Sequence, residues 1–161
     1  MCGIVGYIGK RQAAPILLEG LEKLEYRGYD SAGIAVRDGD REPVVVKAKG
    51  RLRVLADKTD NGRALEGCCG IGHTRWATHG VPSESNAHPH VSTDGSVLAV
   101  HNGIFENYLE IREKLSRHDY RFYSQTDTEA IVNLIDYYYK KYKVGPIDAL
   151  AKTLVRVRGS Y

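Results

Sequence analysis

The hydrophobic and polar positions of this chain change several times between a strand-like and a helix-like spacing. Near the start, the apolar residues of the stretch 4–8 are interrupted by glycine, which predicts a short buried strand that another backbone or a ligand can approach closely. After Pro15, leucines recur three and four positions apart, which predicts a helix with one apolar stripe: Leu17, Leu18, Leu21 and Leu24. The helical pattern stops at a polar turn, residues 26–31.

The middle of the chain favours strands. Further apolar runs rich in β-branched residues predict four of them: Ala32–Val36, Val44–Ala48, Gly70–Thr74 and Val97–His101. Asp38-Gly39-Asp40 supplies the turn residues between the first two. A short polar helix is predicted over Leu52–Lys58.

The last third of the chain favours helices. The first has one face formed by Tyr108, Ile111, Arg112 and Leu115. The second begins at Thr126-Asp127-Thr128-Glu129, which has the spacing of a capping box. The third runs from Pro146 to about Arg158, with an apolar face predicted to point inward: Ile147, Leu150, Ala151 and Leu154. Strands that are separated by helices, with local hairpins, favour a layered α+β fold.

Composition and charge exclude several classes of function. The 161 residues carry a formal net charge of +3 on a balanced mixture of signs, which is too weak to indicate nucleic-acid or membrane-surface binding. No apolar run has membrane-spanning length, and no basic segment precedes a signal-peptide core. We therefore expect a soluble cytoplasmic protein with one domain and no linker.

The three cysteines do not form a disulfide framework, because their number is odd and Cys68 and Cys69 are adjacent. We interpret this pair as packing residues at the start of a strand. Cys2 differs, because a small residue behind Met1 favours removal of that methionine. One residue then carries a thiol and a free α-amine, which titrate unperturbed at about 8.5 and about 7.7–8.0. An amine beside a thiol can act as its base, although a second-position cysteine can also be a small buried residue.

Three polar clusters follow predicted strands or open a helix. In the stretch 72–80, Arg75 could bind a carboxylate through two hydrogen bonds, or the stretch could be an ordinary polar loop anchored by Trp76. Asn102 and the N–H of Gly103 could form an oxyanion hole, although Asn-Gly is also a common turn. Asp127 could complement a helix dipole or hold a substrate ammonium group.

His79, His88 and His90 suggest a metal site only weakly. No cysteine or carboxylate lies at the usual ligand spacing from them, so we favour a loop stiffened by Pro89 over a zinc site. We expect neither a metal nor an organic cofactor.

Six motifs of the chain resemble those of the class II glutamine amidotransferases, in the same order and over nearly the whole sequence. They are Met1-Cys2-Gly3-Ile4-Val5-Gly6, Tyr26-Arg27-Gly28-Tyr29-Asp30-Ser31-Ala32-Gly33, Gly72-His73-Thr74-Arg75-Trp76-Ala77-Thr78-His79-Gly80, Asn86-Ala87-His88-Pro89-His90, His101-Asn102-Gly103 and Thr126-Asp127-Thr128-Glu129. Their wording is similar to the branch of the family whose members also carry sugar-isomerase domains. The resemblance implies an N-terminal-nucleophile fold, a four-layer αββα sandwich.

The resemblance also implies roles for individual residues. Cys2, freed of Met1, would attack the side-chain amide of glutamine, while Asn102 and the Gly103 N–H would stabilise the oxyanion. Arg75 would bind the α-carboxylate of glutamine and Asp127 its α-ammonium group. The family pattern further assigns Trp76, Thr78 and His79 to the pocket wall, Trp76 also to the ammonia exit, and Arg27 to orienting the surroundings of the nucleophile.

Members of that branch continue through further strands and then through domains that bind fructose 6-phosphate. The resemblance therefore implies a glutaminase domain that is incomplete at its C-terminal end, with the sugar-isomerase domains absent. An interrupted sheet leaves an unpaired strand edge, so we expect a homo-oligomer or a marginally folded chain with weak activity. The alternative is an inactive remnant that binds only glutamine or a partner.

Overall fold

The computed structural model describes residues 2–77 and 80–161; Met1, Thr78 and His79 lie outside the described residues. The chain divides into two compact units, Met1–Pro89 and His90–Tyr161. Among the described residues no helix is both long and apolar enough to cross a membrane.

The first unit is a four-stranded antiparallel sheet with helices packed on it. Its elements in chain order are β1 (Gly3–Ile8), α1 (Ala13–Glu22), a 3₁₀ turn (Glu25–Arg27), β2 (Ser31–Arg37), β3 (Val44–Lys49), α2 (Leu52–Lys58) and β4 (Cys69–Arg75). The strand order is β1-β4-β2-β3, so β4 lies between the first two strands of the chain. In the ladder between β1 and β4, Gly3 pairs with Thr74.

The core of this unit forms where α1 and α2 cover the sheet. Leu17, Leu21, Ile34 and Leu55 are fully buried there. Glycine on β4 permits the close approach of α1, because a Cβ at Gly72 would lie 2.9 Å from the Leu21 side chain. The prediction that the first strand is buried is wrong for Ile4 and Ile8, which are 41% and 81% exposed.

The second unit is mainly helical, with short strand pairs. Its elements are β5 (His90–Val91), β6 (Leu98–Ala99), β7 (Ile104–Phe105), α3 (Tyr108–Ser116), α4 (Asp127–Tyr142), α5 (Pro146–Leu154) and β8 (Gly159–Ser160). Two antiparallel ladders pair β5 with β6 and β7 with β8. The apolar core surrounds α4, against which both α3 and α5 pack, and includes the buried Leu115 and Leu134.

The predicted inward face of the last helix is wrong. Ile147 is 83% exposed, and Leu150, Ala151 and Leu154 are also exposed. The buried residues of α5 are instead Ala149 and Thr153, which lie one turn apart. Their small side chains allow the helix to pack closely against its neighbour. The helix also ends at Leu154 rather than near Arg158.

Two further predictions need correction. The strand expected over Val97–His101 is only two residues long, Leu98–Ala99. Thr126 is the N-cap residue of α4, as predicted, but its side chain makes no capping hydrogen bond. The Glu129 carboxylate binds the backbone N–H groups of Tyr123 and Ser124 instead, so the motif anchors the preceding loop rather than forming a capping box.

Candidate active site

Cys2 lies immediately before β1, at the end of a regular ladder. Its sulfur accepts a hydrogen bond from the backbone N–H of Trp76 at 3.1 Å, and the thiol lies 3.5 Å from the carbonyl oxygen of the same residue. Gly3 is required here by close packing, because a Cβ would lie 2.7 Å from Leu24 Cβ and 2.8 Å from Thr74 Oγ1. The strand pairing therefore brings Cys2 to residues 75–76, two motifs far apart in sequence.

Arg75 is the last residue of β4, and its side chain is almost entirely buried. The guanidinium group donates to the carbonyl oxygens of Gly80 at 3.0 Å and of Val81 at 3.5 Å. It also lies 3.9 Å from a carboxylate oxygen of Asp30. In this structure the predicted anion-binding group is thus held by the loop that follows it and by an internal carboxylate.

Trp76 is half exposed and forms an aromatic cluster at the surface of the first unit. Its ring meets the edge of Tyr29 with centroids 5.7 Å apart, and the Arg51 guanidinium lies 5.5 Å from the centroid of the Tyr29 ring. Arg27 ends the 3₁₀ turn and is half-buried. The predicted pocket residues Thr78 and His79 lie outside the described residues.

In the second unit, Asp127 is the first residue of α4 and is buried. Its carboxylate accepts hydrogen bonds from the N–H groups of Phe105 at 2.8 Å and of Thr128 at 2.9 Å. A carboxylate offers about four acceptor positions, so two such bonds leave capacity for a further donor. Asp127 ties the start of α4 to β7.

Asn102 and Gly103 are exposed and lie between β6 and β7. A Cβ on Gly103 would lie 2.1 Å from the backbone oxygen of Ser160, so only glycine fits. The His101 ring stacks on Phe105 with centroids 4.1 Å apart. Burial lowers the pKa of His101, although the charge of Asp127 opposes the shift, so burial favours the neutral form of this imidazole.

The remaining histidines of the suspected metal motif pack within the protein. The rings of His73 and His88 stack with centroids 4.2 Å apart, and Nε2 of His90 lies 2.9 Å from Thr126 Oγ1. Across residues 2–77 and 80–161, no group of three or more histidine, cysteine or acidic side chains could hold a metal ion. Cys68 and Cys69 are half-buried thiols at the start of β4.

Sequence reasoning missed the part played by two acidic residues. Asp30 accepts a hydrogen bond from the backbone N–H of Ala77, and Glu129 accepts three hydrogen bonds, from Tyr123 N–H, Ser124 N–H and Ser124 Oγ. An acidic residue next to a buried strand or helix start is a signal that could have identified both, because a buried carboxylate needs donors.

Comparisons with known proteins identify the family of this chain. A family profile for the glutamine amidotransferase domain matches residues 38–142. Glutamine–fructose-6-phosphate aminotransferases (isomerizing) from Caldanaerobacter subterraneus and Clostridium tetani are 56% and 55% identical over 100% of this chain. The chain spans 26% of the length of these curated relatives, about a quarter.

A solved structure agrees with the fold. The glutamine phosphoribosylpyrophosphate amidotransferase of B. subtilis, solved with ADP and GMP, matches with a TM-score of 0.82 and 26% identity, over 100% of this chain and 34% of that one. The predicted α+β, N-terminal-nucleophile fold is confirmed by this likeness. The profile match over more than half of the sequence shows that the chain belongs to the glutamine amidotransferase family.

Proposed function

We propose that this chain is the glutamine-hydrolysing part of a glutamine–fructose-6-phosphate aminotransferase. Relatives of that name match it from end to end at more than half identity, which supports the substrate glutamine. In the longer protein, the ammonia released would convert fructose 6-phosphate to glucosamine 6-phosphate, the entry to hexosamine synthesis. The observation that carries the proposal is the position of the Cys2 sulfur. It lies 3.1 Å from the backbone nitrogen of Trp76, the residue that follows Arg75.

The chemistry follows from a thiol and an amine on one residue. After Met1 is removed, the α-amine of Cys2 takes the proton from the thiol, and the sulfur attacks the side-chain amide carbon of glutamine. The C–N bond breaks, the amine returns its proton to the departing ammonia, and a glutamyl thioester remains. Water then adds to the thioester carbon, the C–S bond breaks, and glutamate leaves as the thiol recovers its proton.

Other motif residues are proposed to bind and stabilise. Asn102 and the Gly103 N–H stabilise the oxyanion of each tetrahedral intermediate, a task for which their exposure suits them. Arg75 recognises the α-carboxylate of glutamine, and Asp127 recognises its α-ammonium group.

Three more residues complete the predicted pocket wall, and one has an orienting role. Trp76, Thr78 and His79 are proposed to line the glutamine pocket. Arg27 is proposed to orient the surroundings of Cys2.

Glutamate release from glutamine tests the proposal. We expect Cys2→Ala to abolish it, and Cys68→Ala, a matched loss of a half-buried thiol in the same unit, to retain it. A mass spectrum of the same sample shows whether Met1 has been removed. Release by Cys2→Ala at the wild-type rate, or no release by a wild-type chain that has lost Met1, would contradict the proposal and favour a chain that only binds glutamine.

A glutamine-mimicking electrophile gives a second measurement that does not depend on turnover. We expect it to label Cys2 and to spare Cys68 and Cys69, because only Cys2 has a base on the same residue. Labelling of the adjacent pair with Cys2 unmodified would exclude Cys2 as the nucleophile.

A further inference from the structure

We infer that Gly28 and Asp30 are positioning residues, which hold the strand-end corner (residues 75–77) against the sulfur of Cys2. This inference rests on the proposed function, because it names what fixes the geometry of that nucleophile. Both residues come from the polar turn that ends the first helical pattern, in which only Arg27 has so far been given a role toward Cys2.

Asp30 holds the strand-end corner through its backbone and its side chain. Its backbone N–H donates to the carbonyl oxygen of Arg75 at 3.2 Å, and its carboxylate accepts a hydrogen bond from the N–H of Ala77. The hydroxyl of Ser31 donates to the other carboxylate oxygen at 2.8 Å and so fixes the rotamer. That oxygen also lies 3.9 Å from the Arg75 guanidinium, where both side chains are largely shielded from water.

The backbone of Gly28 packs closely against the same corner. A Cβ at this position would lie 2.9 Å from both the carbonyl carbon and oxygen of Arg75, and 3.0 Å from the nitrogen of Trp76. The φ angle of Gly28 is −173°, an extended conformation that any residue adopts. Glycine is therefore required here for close contact rather than for backbone freedom.

Two consecutive backbone N–H groups connect Asp30 to the nucleophile. The N–H of Trp76 donates to the Cys2 sulfur at 3.1 Å, and the next N–H, that of Ala77, donates to Asp30. A donor N–H stabilises negative charge on the atom that accepts its hydrogen bond more than it stabilises the neutral atom, so the position of this corner bears on the reactivity of the Cys2 sulfur. A displaced corner removes this donor, and a neutral residue 30 removes the charge that fixes Arg75.

The two residues can be tested separately, because one acts by shape and the other by charge. Gly28→Ala adds a methyl group without changing charge. We expect the pH profile of Cys2 alkylation by iodoacetamide, followed by peptide mass spectrometry, to move to higher pH, while Cys68 and Cys69 serve as internal references. Gly6→Ala is the matched control, since a Cβ there meets nothing within 4 Å.

Asp30→Asn keeps the size of the side chain and an acceptor for the Ala77 N–H, but removes the charge facing Arg75. For inactivation by a glutamine-mimicking electrophile, we expect the half-saturating concentration KI to rise about tenfold, the equivalent of about one charge-assisted hydrogen bond. The limiting rate kinact should stay within about twofold, because the corner keeps its position. Asp40→Asn, at the exposed turn between β2 and β3, is the control.

The outcomes separate this inference from the proposed function. An alkylation profile of Gly28→Ala that matches Gly6→Ala, or a KI of Asp30→Asn that matches Asp40→Asn, overturns the positioning role. A wild-type chain that the electrophile does not label contradicts the proposed function instead, and the iodoacetamide profile then still decides whether the corner is positioned by Gly28.

Discussion

In the unit Met1–Pro89, regular strand pairing brings Cys2 and Arg75 together, whereas in the unit His90–Tyr161 Asp127 is fixed through its own buried carboxylate. Cys2 and Arg75 stand at the ends of β1 and β4, two strands that pair continuously over six residues of β1. Asp127 is held by hydrogen bonds from Phe105 and Thr128. The ladder beside it, β7 with β8, is only two residues long.

This difference shows which contacts fix the backbone in each unit. A long ladder and an apolar helix face fix many backbone groups by a repeating rule, so one side chain can change without moving the strand. A buried carboxylate fixes a loop through a few specific bonds, and its loss leaves donors without partners. The predictions below test this contrast, beginning with the largest expected effect.

Asn102→Ala should reduce glutamate release by roughly 10²–10³, the effect of removing one oxyanion-hole donor. Asn102 is exposed, so the thermal unfolding of the variant should match wild type. Steady-state kinetics and circular dichroism on the same preparation measure both quantities. Unchanged turnover in the folded variant would remove Asn102 from the mechanism.

Leu21→Ala should destabilise the first unit by about 2–5 kcal/mol, because it leaves a cavity in a fully buried core. Ile8→Ala is the matched control on the same unit, since Ile8 is 81% exposed. Urea unfolding followed by circular dichroism gives the free energy of unfolding. Equal losses in the two variants would mean that the α1 contact does not dominate this unit.

Glu129→Gln should destabilise the second unit by about 1–3 kcal/mol, although the two side chains have nearly the same size. The amide turns a donor toward N–H groups that the carboxylate accepted. Glu113→Gln, on the exposed face of α3, should cost less than about 1 kcal/mol. Hydrogen exchange of amides near residues 123–124 locates the change, and protection equal to that of Glu113→Gln would break the contrast between the units.

The smallest expected effect is a loss of stability of the second unit in acid. Partial burial tends to raise the pKa of Asp94, but hydrogen bonds from Lys140 and Ser96 outweigh it and hold that pKa well below its ordinary value. A folded-state pKa below the unfolded value of about 3.9 gives stability that is complete above that pH and is lost as pH falls through the folded pKa.

The urea midpoint of the wild-type chain should therefore fall on acidification below about pH 4. Asp94→Asn should give a shallower fall, because residue 94 no longer binds a proton on unfolding. Identical acid profiles for the two proteins would show that Asp94 contributes nothing to the pH dependence.

The predictable part of the structure is the part that repeats. The helix Leu52–Lys58 was predicted with its observed bounds, and the strand Ala32–Val36 was predicted within one residue at each end of β2. The strand Gly70–Thr74 was likewise predicted within one residue at each end of β4. Such patterns repeat over several residues, so each residue supports the interpretation of its neighbours.

The rest depends on contacts that leave no repeat in the sequence. The apolar spacing of α5 identified one helix face, but Ala149 and Thr153 pack on the neighbouring helix because they are small. Asp30 and Glu129 bind backbone groups that any residue could offer, so their partners could not be identified from residue types. The catalytic roles of Cys2 and the other motif residues stay predictions.

The strand-end corner also has an optical consequence. Trp76 is the single tryptophan of the chain, it is half exposed, and its own backbone N–H contacts the Cys2 sulfur. Indole emission responds to the exposure of the ring and to its neighbours, so the tryptophan fluorescence of the unlabelled protein reports on this one corner. A stopped-flow record of that emission would test, without an added dye, for the proposed binding of glutamine and the proposed thioester.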